Sequence, residues 1–169
     1  FPDTAETWDQ IRPAVAAAGF RVVTPWLRGY APSEIPKHDT DTRTQGDDAI
    51  ALIEALGAER AYLVGHDWGA SVVYAASAIA PEKIIKLVAL GIPHPAAIVP
   101  TPKILWGIRH FVTHRFPGAV ERFAEDDYAQ IGLLFKRWSP TWKFGPEDVE
   151  PVREAFKQPG CLDAALGYY

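Results

Sequence analysis

The sequence predicts an α/β protein in which part of a parallel sheet is followed by an all-helical cap. In residues 1–97, helical segments and short apolar segments alternate three times, which is the order that parallel strands with helical crossovers require. From Lys103 to Tyr169 there is no convincing strand, and proline and glycine pairs divide an aromatic-rich segment into helical windows. We therefore expect a partial core in residues 1–97 and a helical cap in residues 98–169.

The first helix and strand are predicted near the start of the chain. Apolar residues recur with helical spacing over residues 4–18, and Pro13 fits this helix only if it lies in the first turn. Residues 20–24 form a β-branched run that Pro25 ends, which predicts a short strand.

The next two helix–strand pairs are more strongly patterned. A helix is predicted over residues 42–56, with Gly57 at its C-terminal cap. Residues 61–64 are almost continuously apolar, as in a strand that is buried on both faces. An unusually apolar helix over residues 70–79 and a second buried strand over residues 84–90 complete the expected parallel sheet.

Between the strand at 61–64 and the helix that follows it lies Gly65-His66-Asp67-Trp68-Gly69. This pentapeptide has the form of a nucleophile elbow, in which small residues two before and two after the nucleophile let the strand and the helix approach closely. The alternative is a plain turn in which Asp67 caps the helix. The apolar strand before, the apolar helix after and the matching strand downstream favour the elbow.

The residue type of the nucleophile restricts the chemistry. The N-terminus of a helix favours an ionised carboxylate at Asp67, and such a carboxylate attacks electrophilic saturated carbon to form an ester. The sequence therefore predicts displacement at carbon, such as opening an epoxide or expelling a halide. A water molecule activated by a histidine base would then hydrolyse the ester, with the amide of Trp68 as an oxyanion donor.

The pentapeptide resembles the elbow of epoxide hydrolases of the α/β-hydrolase fold, and haloalkane dehalogenases, their near relatives, carry a similar one. Residues 1–8 are similar to the end of the family's His-Gly-Phe-Pro oxyanion loop and the helix after it. This resemblance implies that the Phe1 amide is the second oxyanion donor and that Pro2 lines the substrate pocket. Residues 28–33 resemble a further loop of the same family.

The resemblance also implies roles for residues of the cap. Epoxide hydrolases use two cap tyrosines whose phenols bind the epoxide oxygen, and residues 167–169 look like the segment that carries the second, which implies that role for Tyr169. An aromatic side chain at an interface is the alternative reading of Tyr169. Thr113 occupies the position of the first tyrosine but has no acidic phenol, and Tyr128 is a candidate to reach the site from another helix.

None of the five histidines is a clear base. The order of this fold places the base beyond the cap, and no histidine follows His114. The ring of His66 is expected to point away from its neighbour Asp67, while His94 either lines the pocket or makes a local hydrogen bond. We expect His110 and His114 to lie on the solvated face of a cap helix. No histidine has partners at metal-ligand spacing, so neither a metal nor another cofactor is expected.

The composition of the chain excludes several other classes of protein. A net charge of −4 gives no basic surface for nucleic acid, and the longest apolar stretch, residues 69–80, is too short to cross a bilayer. The single cysteine, Cys161, fits a reducing compartment, so a cytoplasmic location is expected. The absence of methionine and the helical pattern at Tyr169 indicate an internal piece of a longer protein.

Three functions remain open. The first is an epoxide hydrolase acting on a small apolar or aromatic epoxide. The second is a haloalkane dehalogenase, in which the Trp68 indole would bind the leaving halide, although that family usually has asparagine where Phe1 stands. The third is a non-catalytic binding module of the same fold. The oligomeric state is not predicted.

Overall fold

The chain forms one two-stranded parallel sheet and nine α-helices. A computed structural model describes all 169 residues. Short 3-10 helices occur at Ala5–Trp8, Pro81–Lys83 and Pro95–Ala97. The strands are β1 (Ala61–His66) and β2 (Ile84–Leu90), and the helices are α1 (Arg12–Ala17), α2 (Thr42–Ala55), α3 (Trp68–Ile79), α4 (Pro102–Gly107), α5 (His110–Thr113), α6 (Ala119–Tyr128), α7 (Gln130–Trp138), α8 (Pro146–Lys157) and α9 (Cys161–Gly167).

Contacts between Cα atoms divide the chain into two units. The first unit contains both strands and helices α2 to α5, and the second contains α1 and most of the helices after α5. The division into a core at 1–97 and a cap at 98–169 stays a prediction. The first unit consists of Phe1, His38–Thr113 and Gly167–Tyr169, and the second of Pro2–Lys37 and His114–Leu166.

The sheet of the first unit is covered on one face. The strands β1 and β2 pair in parallel with Val64 opposite Val88, and α3 contacts both strands. Val64 is 52% exposed and Val88 50% exposed, because alternate residues of a strand point to opposite faces and the second face has no helix on it. The two predicted strands are confirmed, but the expectation that they are buried on both faces is wrong for this chain.

Helices α2 and α3 cross closely in the same unit. A Cβ atom added to Gly46 would lie 2.9 Å from the Cβ of Ala75 and 3.0 Å from the Cδ1 of Ile79. Helix α2 ends as predicted, with Gly57 at a φ of +73°, a left-handed conformation that glycine adopts without strain. The α2–α3 contact therefore depends on the absence of a side chain at Gly46.

The second unit has an aromatic and aliphatic core. The ring centroids of Phe123 and Phe156 lie 5.6 Å apart at an interplanar angle of 85°, and both side chains are buried. Cys161 is also buried, and burial raises the pKa of its thiol. Cys161 therefore acts as a small apolar residue that fills the core.

Two predicted elements near the start of the chain differ from the structure. The helix expected over residues 4–18 is a 3-10 turn followed by α1, and Pro13 lies in the first turn of α1, where its missing N–H costs least. Residues 20–24 do not form a strand, because the one ladder of the chain joins β1 to β2 and gives this segment no partner. No helix combines the length and apolar character needed to cross a membrane.

Candidate active site

Asp67 is the single residue between the end of β1 and the start of α3. Its φ of +52° and ψ of −122° define a conformation that residues with a side chain rarely adopt. The Asp67 N–H donates to the Leu90 carbonyl at 3.1 Å, and the Asp67 carbonyl accepts from the Ala70 N–H at 2.9 Å. The end of β2 and the first turn of α3 thus hold the residue in the strained geometry of a nucleophile elbow.

Gly65 is required by the close approach of β1 to α3. A Cβ atom at this position would overlap the Gly69 carbonyl group and lie 2.8 Å from the backbone nitrogen of Ala70. A Cβ atom at Gly69 would meet no atom within 4 Å. The expected need for a small residue therefore holds for Gly65, whereas the structure gives no steric reason for one at Gly69.

The Asp67 carboxylate does not cap α3, so the alternative reading of the pentapeptide as a capped turn is wrong. Instead, the backbone nitrogen of Phe1 donates to the Asp67 Oδ1 at 2.6 Å. The Phe1 side chain is fully buried beside this hydrogen bond.

Four rings surround the ring of Tyr169, each nearly perpendicular to it. The interplanar angles are 86° or 87°, and the distances between ring centroids lie between 4.9 and 5.5 Å. Perpendicular contacts of this kind are favourable for aromatic rings. We call this set the Tyr169 ring cluster; its surrounding rings belong to Phe1, Trp68, His110 and Phe111.

The phenol of Tyr169 is held in its protonated form. Burial raises the pKa of this phenol, the negative charge of Asp67 raises it further, and a hydrogen bond from the Trp68 side chain lowers it by a smaller amount. An indole N–H is only a donor, so Trp68 donates to the phenol oxygen. The phenol hydrogen of Tyr169 is therefore present at neutral pH beside the carboxylate of Asp67.

The other predicted pocket residues of the first unit make local hydrogen bonds. The Thr113 hydroxyl donates to the His110 carbonyl at 3.1 Å on an exposed part of α5. The His94 Nδ1 accepts from the Ala96 N–H at 3.2 Å, and the His94 ring packs on Tyr74 at 4.9 Å. These contacts are the local alternative that the sequence left open for His94.

Pro2 and Tyr128 belong to the second unit. Pro2 is fully buried, and the Tyr128 hydroxyl donates to the Phe156 carbonyl at 3.3 Å. Their predicted roles in substrate binding stay predictions.

The sequence predicted the surroundings of His66 correctly but those of His110 wrongly. The His66 ring faces the loop after β2, since a Cβ atom on Gly91 would lie 3.3 Å from its Nε2. This position agrees with the expectation that the ring points away from Asp67. His110 was expected on a solvated face, but its ring is half-buried against Tyr169. The chain separation of the two residues explains the error, because no local pattern near His110 indicates a partner so distant in sequence.

No group of three or more histidine, cysteine, aspartate or glutamate side chains lies close enough together to hold a metal ion. The polar groups beside the Asp67 carboxylate are instead the Phe1 nitrogen and the Tyr169 phenol.

A family model for the alpha/beta hydrolase fold matches residues 1–158 of the chain. The chain belongs to this α/β-hydrolase family. The predicted fold class and family are thereby confirmed, and the elbow at Asp67 lies within the matched residues.

Relatives of this α/β-hydrolase chain include proteins named as epoxide hydrolases. It is 36% identical over 179 residues to the AB hydrolase superfamily protein YfhM of Bacillus subtilis (strain 168), in an alignment that covers 100% of the chain and 62% of that protein. It is 40% identical over 96 residues to an epoxide hydrolase of Caballeronia sordidicola, covering 55% of the chain and 29% of that protein.

Among solved structures, the chain is similar to epoxide hydrolase CorEH without ligand, with a TM-score of 0.84 and 25% sequence identity. This match covers 100% of the chain and 62% of that structure. The chain thus spans about three fifths of the length of the relatives that it matches from end to end.

Proposed function

We propose that this chain carries the ester-forming site of an epoxide hydrolase, with Asp67 as the nucleophile. The observation that supports this most directly is the pairing of a carboxylate on a strained elbow with a protonated phenol, that of Tyr169, beside it. The chain's similarity to proteins named as epoxide hydrolases points in the same direction.

In the first step, the free Oδ2 of Asp67 attacks a carbon atom of the epoxide and forms an ester. The carbon–oxygen bond of the epoxide breaks, and its electron pair goes to the leaving oxygen, which Tyr169 stabilises by donating a hydrogen bond. The Asp67 Oδ1, which already accepts from the Phe1 nitrogen at 2.6 Å, becomes the carbonyl oxygen of the ester. The two oxygens of one carboxylate therefore have separate roles.

In the second step, a water molecule attacks the ester carbonyl, and the negative charge that develops on Oδ1 is stabilised by the Phe1 nitrogen and the Trp68 amide. The intermediate then collapses: the bond between the carboxyl carbon and Oδ2 breaks, and the glycol leaves with Oδ2 and the proton taken from the water. A histidine must activate this water. His66 faces Gly91, His94 bonds to Ala96 and no described bond joins either ring to Asp67. We propose that the base lies outside these 169 residues, so that the chain alone does not complete the reaction.

The substrate proposed for this site is a small apolar or aromatic epoxide. The groups around Tyr169 are aromatic, and such rings bind apolar substrates while a few polar donors orient the reacting oxygen. No cofactor is part of the proposed reaction.

Haloalkane dehalogenation by the same nucleophile is the second candidate. It would need the Trp68 indole N–H as a donor to the leaving halide, but this group donates to the Tyr169 phenol. A non-catalytic binding module would form no ester with either substrate.

Mixing the full-length protein with styrene oxide or with a bromoalkane, followed by acid quench and intact mass spectrometry, tests these alternatives. We expect an adduct with the full mass of the epoxide, located by peptide mapping on Asp67, and a much slower reaction with the bromoalkane. Asp67→Asn should form no adduct. Turnover that is unchanged in Asp67→Asn would overturn the assignment, and a faster reaction of the bromoalkane would favour dehalogenation.

A further inference from the structure

Thr40, in the loop before α2, lies directly against Gly167. A Cβ atom added to Gly167 would lie 2.8 Å from the Thr40 Oγ1 and 3.8 Å from the Thr40 Cβ. Gly167 is the last residue of α9 and its φ is not positive, so alanine could adopt the same backbone conformation. The close approach of Thr40, and not the backbone conformation, therefore explains why this position has no side chain.

The position of Thr40 is fixed from α2 by a buried side chain. The Gln45 Nε2 donates to the Thr40 carbonyl at 2.7 Å, and Gln45 is only 3% exposed. The Gln45 Oε1 is also buried and accepts no hydrogen bond. Burying an amide whose oxygen stays unpaired costs stability, so stability alone does not explain this side chain. What the bond to Thr40 holds in place explains it better.

The helix that carries Gln45 also packs on the helix that starts beside the nucleophile. Gly46, the next residue of α2, lies so close to α3 that an added Cβ atom would be 2.9 Å from the Cβ of Ala75. Helix α3 begins at Trp68, directly after Asp67. Helix α2 therefore both contacts the helix of the nucleophile and holds Thr40 against Gly167.

Tyr169 follows Gly167 by two residues, so the place of Gly167 limits where the Tyr169 phenol can lie. In the proposed reaction, this phenol must reach the oxygen of an epoxide while Asp67 attacks its carbon. The distance between the phenol and the carboxylate must therefore be set closely. A displacement of about 1 Å in such a geometry can slow a reaction by about 100-fold.

We propose that Thr40 is a positioning residue of this site. Held by Gln45, it sets the place of Gly167 and, through it, the distance of the Tyr169 phenol from Asp67. This assignment rests on the proposed function. Thr40 exchanges no proton with the substrate and acts only through Tyr169.

Moving one atom across the contact between Thr40 and Gly167 tests this role in the full-length protein. In Gly167→Ala the new Cβ atom displaces the contact, because a β-branched side chain has few other rotamers. We expect the ester with styrene oxide to form about 10- to 100-fold more slowly. Thr40→Ala leaves a gap and should slow the step by a smaller factor. In the double variant the two Cβ atoms would lie 3.8 Å apart, an ordinary contact, so the rate should return to within about threefold of the wild type.

Two comparisons separate the placing of the phenol from a general loss of packing. In Tyr169→Phe there is no phenol to place, so adding Gly167→Ala should slow ester formation no further. Gly132→Ala in α7 makes the same chemical change where the new Cβ atom would lie 3.6 Å from the Phe144 ring, an ordinary contact. This control should keep the wild-type rate.

The Trp68 indole reports on the position of Tyr169 without any substrate. Its N–H donates to the phenol oxygen of Tyr169, so its proton resonance in nitrogen-15-labelled protein moves when that bond lengthens. The resonance is identified by its loss in Trp68→Phe. We expect it to shift in Gly167→Ala and in Gln45→Leu, which removes the bond to the Thr40 carbonyl, and to return in the double variant.

A double variant as slow as Gly167→Ala would overturn the role of Thr40, and so would an equal effect of Gly167→Ala in the Tyr169→Phe background. An indole resonance that is the same in every variant would overturn it as well. Each of these results leaves the ester at Asp67 in place, so the proposed function would stand. A wild type that forms no ester would overturn the proposed function, and the indole resonance would still show whether Thr40 places Tyr169.

Discussion

Replacing Gly65 by alanine should damage the elbow far more than the same replacement at Gly69. The new Cβ atom at Gly65 would overlap the backbone of Gly69 and approach the Ala70 nitrogen to 2.8 Å. Overpacking costs about 1–3 kcal/mol where side chains can move aside. Here the obstructing atoms are backbone atoms of α3, so we expect a loss of about 3 kcal/mol or more in the free energy of unfolding.

Gly69→Ala is the matched control because it makes the same chemical change on the opposite side of the elbow. Its Cβ atom meets nothing within 4 Å, and alanine in a helix is favoured over glycine by about 0.5–1 kcal/mol. The two variants should therefore differ by about 3–4 kcal/mol.

Urea unfolding of the full-length protein, followed by circular dichroism, measures this difference, and the rate of Asp67 ester formation reports on the elbow itself. We expect a lower urea midpoint and a strongly reduced ester-forming rate in Gly65→Ala, with a midpoint close to the wild type in Gly69→Ala. Equal midpoints in the two variants would refute the close approach of β1 to α3.

Three further predictions concern Tyr169 and the packing of α2. Tyr169→Phe should slow epoxide opening while sparing any halide release, measured as ester formation with each substrate; equal effects on both would make Tyr169 a structural aromatic. Because the pKa of the Tyr169 phenol is raised in the folded chain, the unfolded state loses this proton first, and the free energy of unfolding should fall as pH rises above about 10. Urea unfolding at increasing alkaline pH checks this, and a fall that is just as steep in Tyr169→Phe would contradict it. Gly46→Ala places a Cβ atom 2.9 Å from that of Ala75, so it should lower the free energy of unfolding by about 1–3 kcal/mol; an unchanged melting temperature would mean that α2 and α3 cross less closely.

The parts of the site that sequence could predict are those determined locally. The elbow follows from five consecutive residues between an apolar strand and an apolar helix, and the structure gives Asp67 the strained backbone that this arrangement requires. The end of α2 at Gly57 is equally local, because a left-handed residue after a helix favours glycine.

Features that depend on partners far away in the sequence were either not predicted or predicted wrongly. The run at residues 20–24 has the composition of a strand, but a strand also needs a neighbour to share its hydrogen bonds, and the chain offers none there. His110 carries no local sign of its contact with Tyr169, which lies at the other end of the cap segment. The predicted roles of Thr113 and His94 rested on position in the sequence, and their side chains instead bond to nearby backbone atoms.

A single turnover of an epoxide by the full-length protein in heavy-oxygen water tests the central role of Asp67 most directly. If water hydrolyses an ester at the Asp67 carbonyl, one carboxylate oxygen of Asp67 becomes labelled and the first glycol released contains only unlabelled oxygen. Mass spectrometry of the peptide that contains Asp67 and of the glycol measures both. Label confined to the glycol would mean that water attacks the epoxide itself, and would contradict Asp67 as the nucleophile.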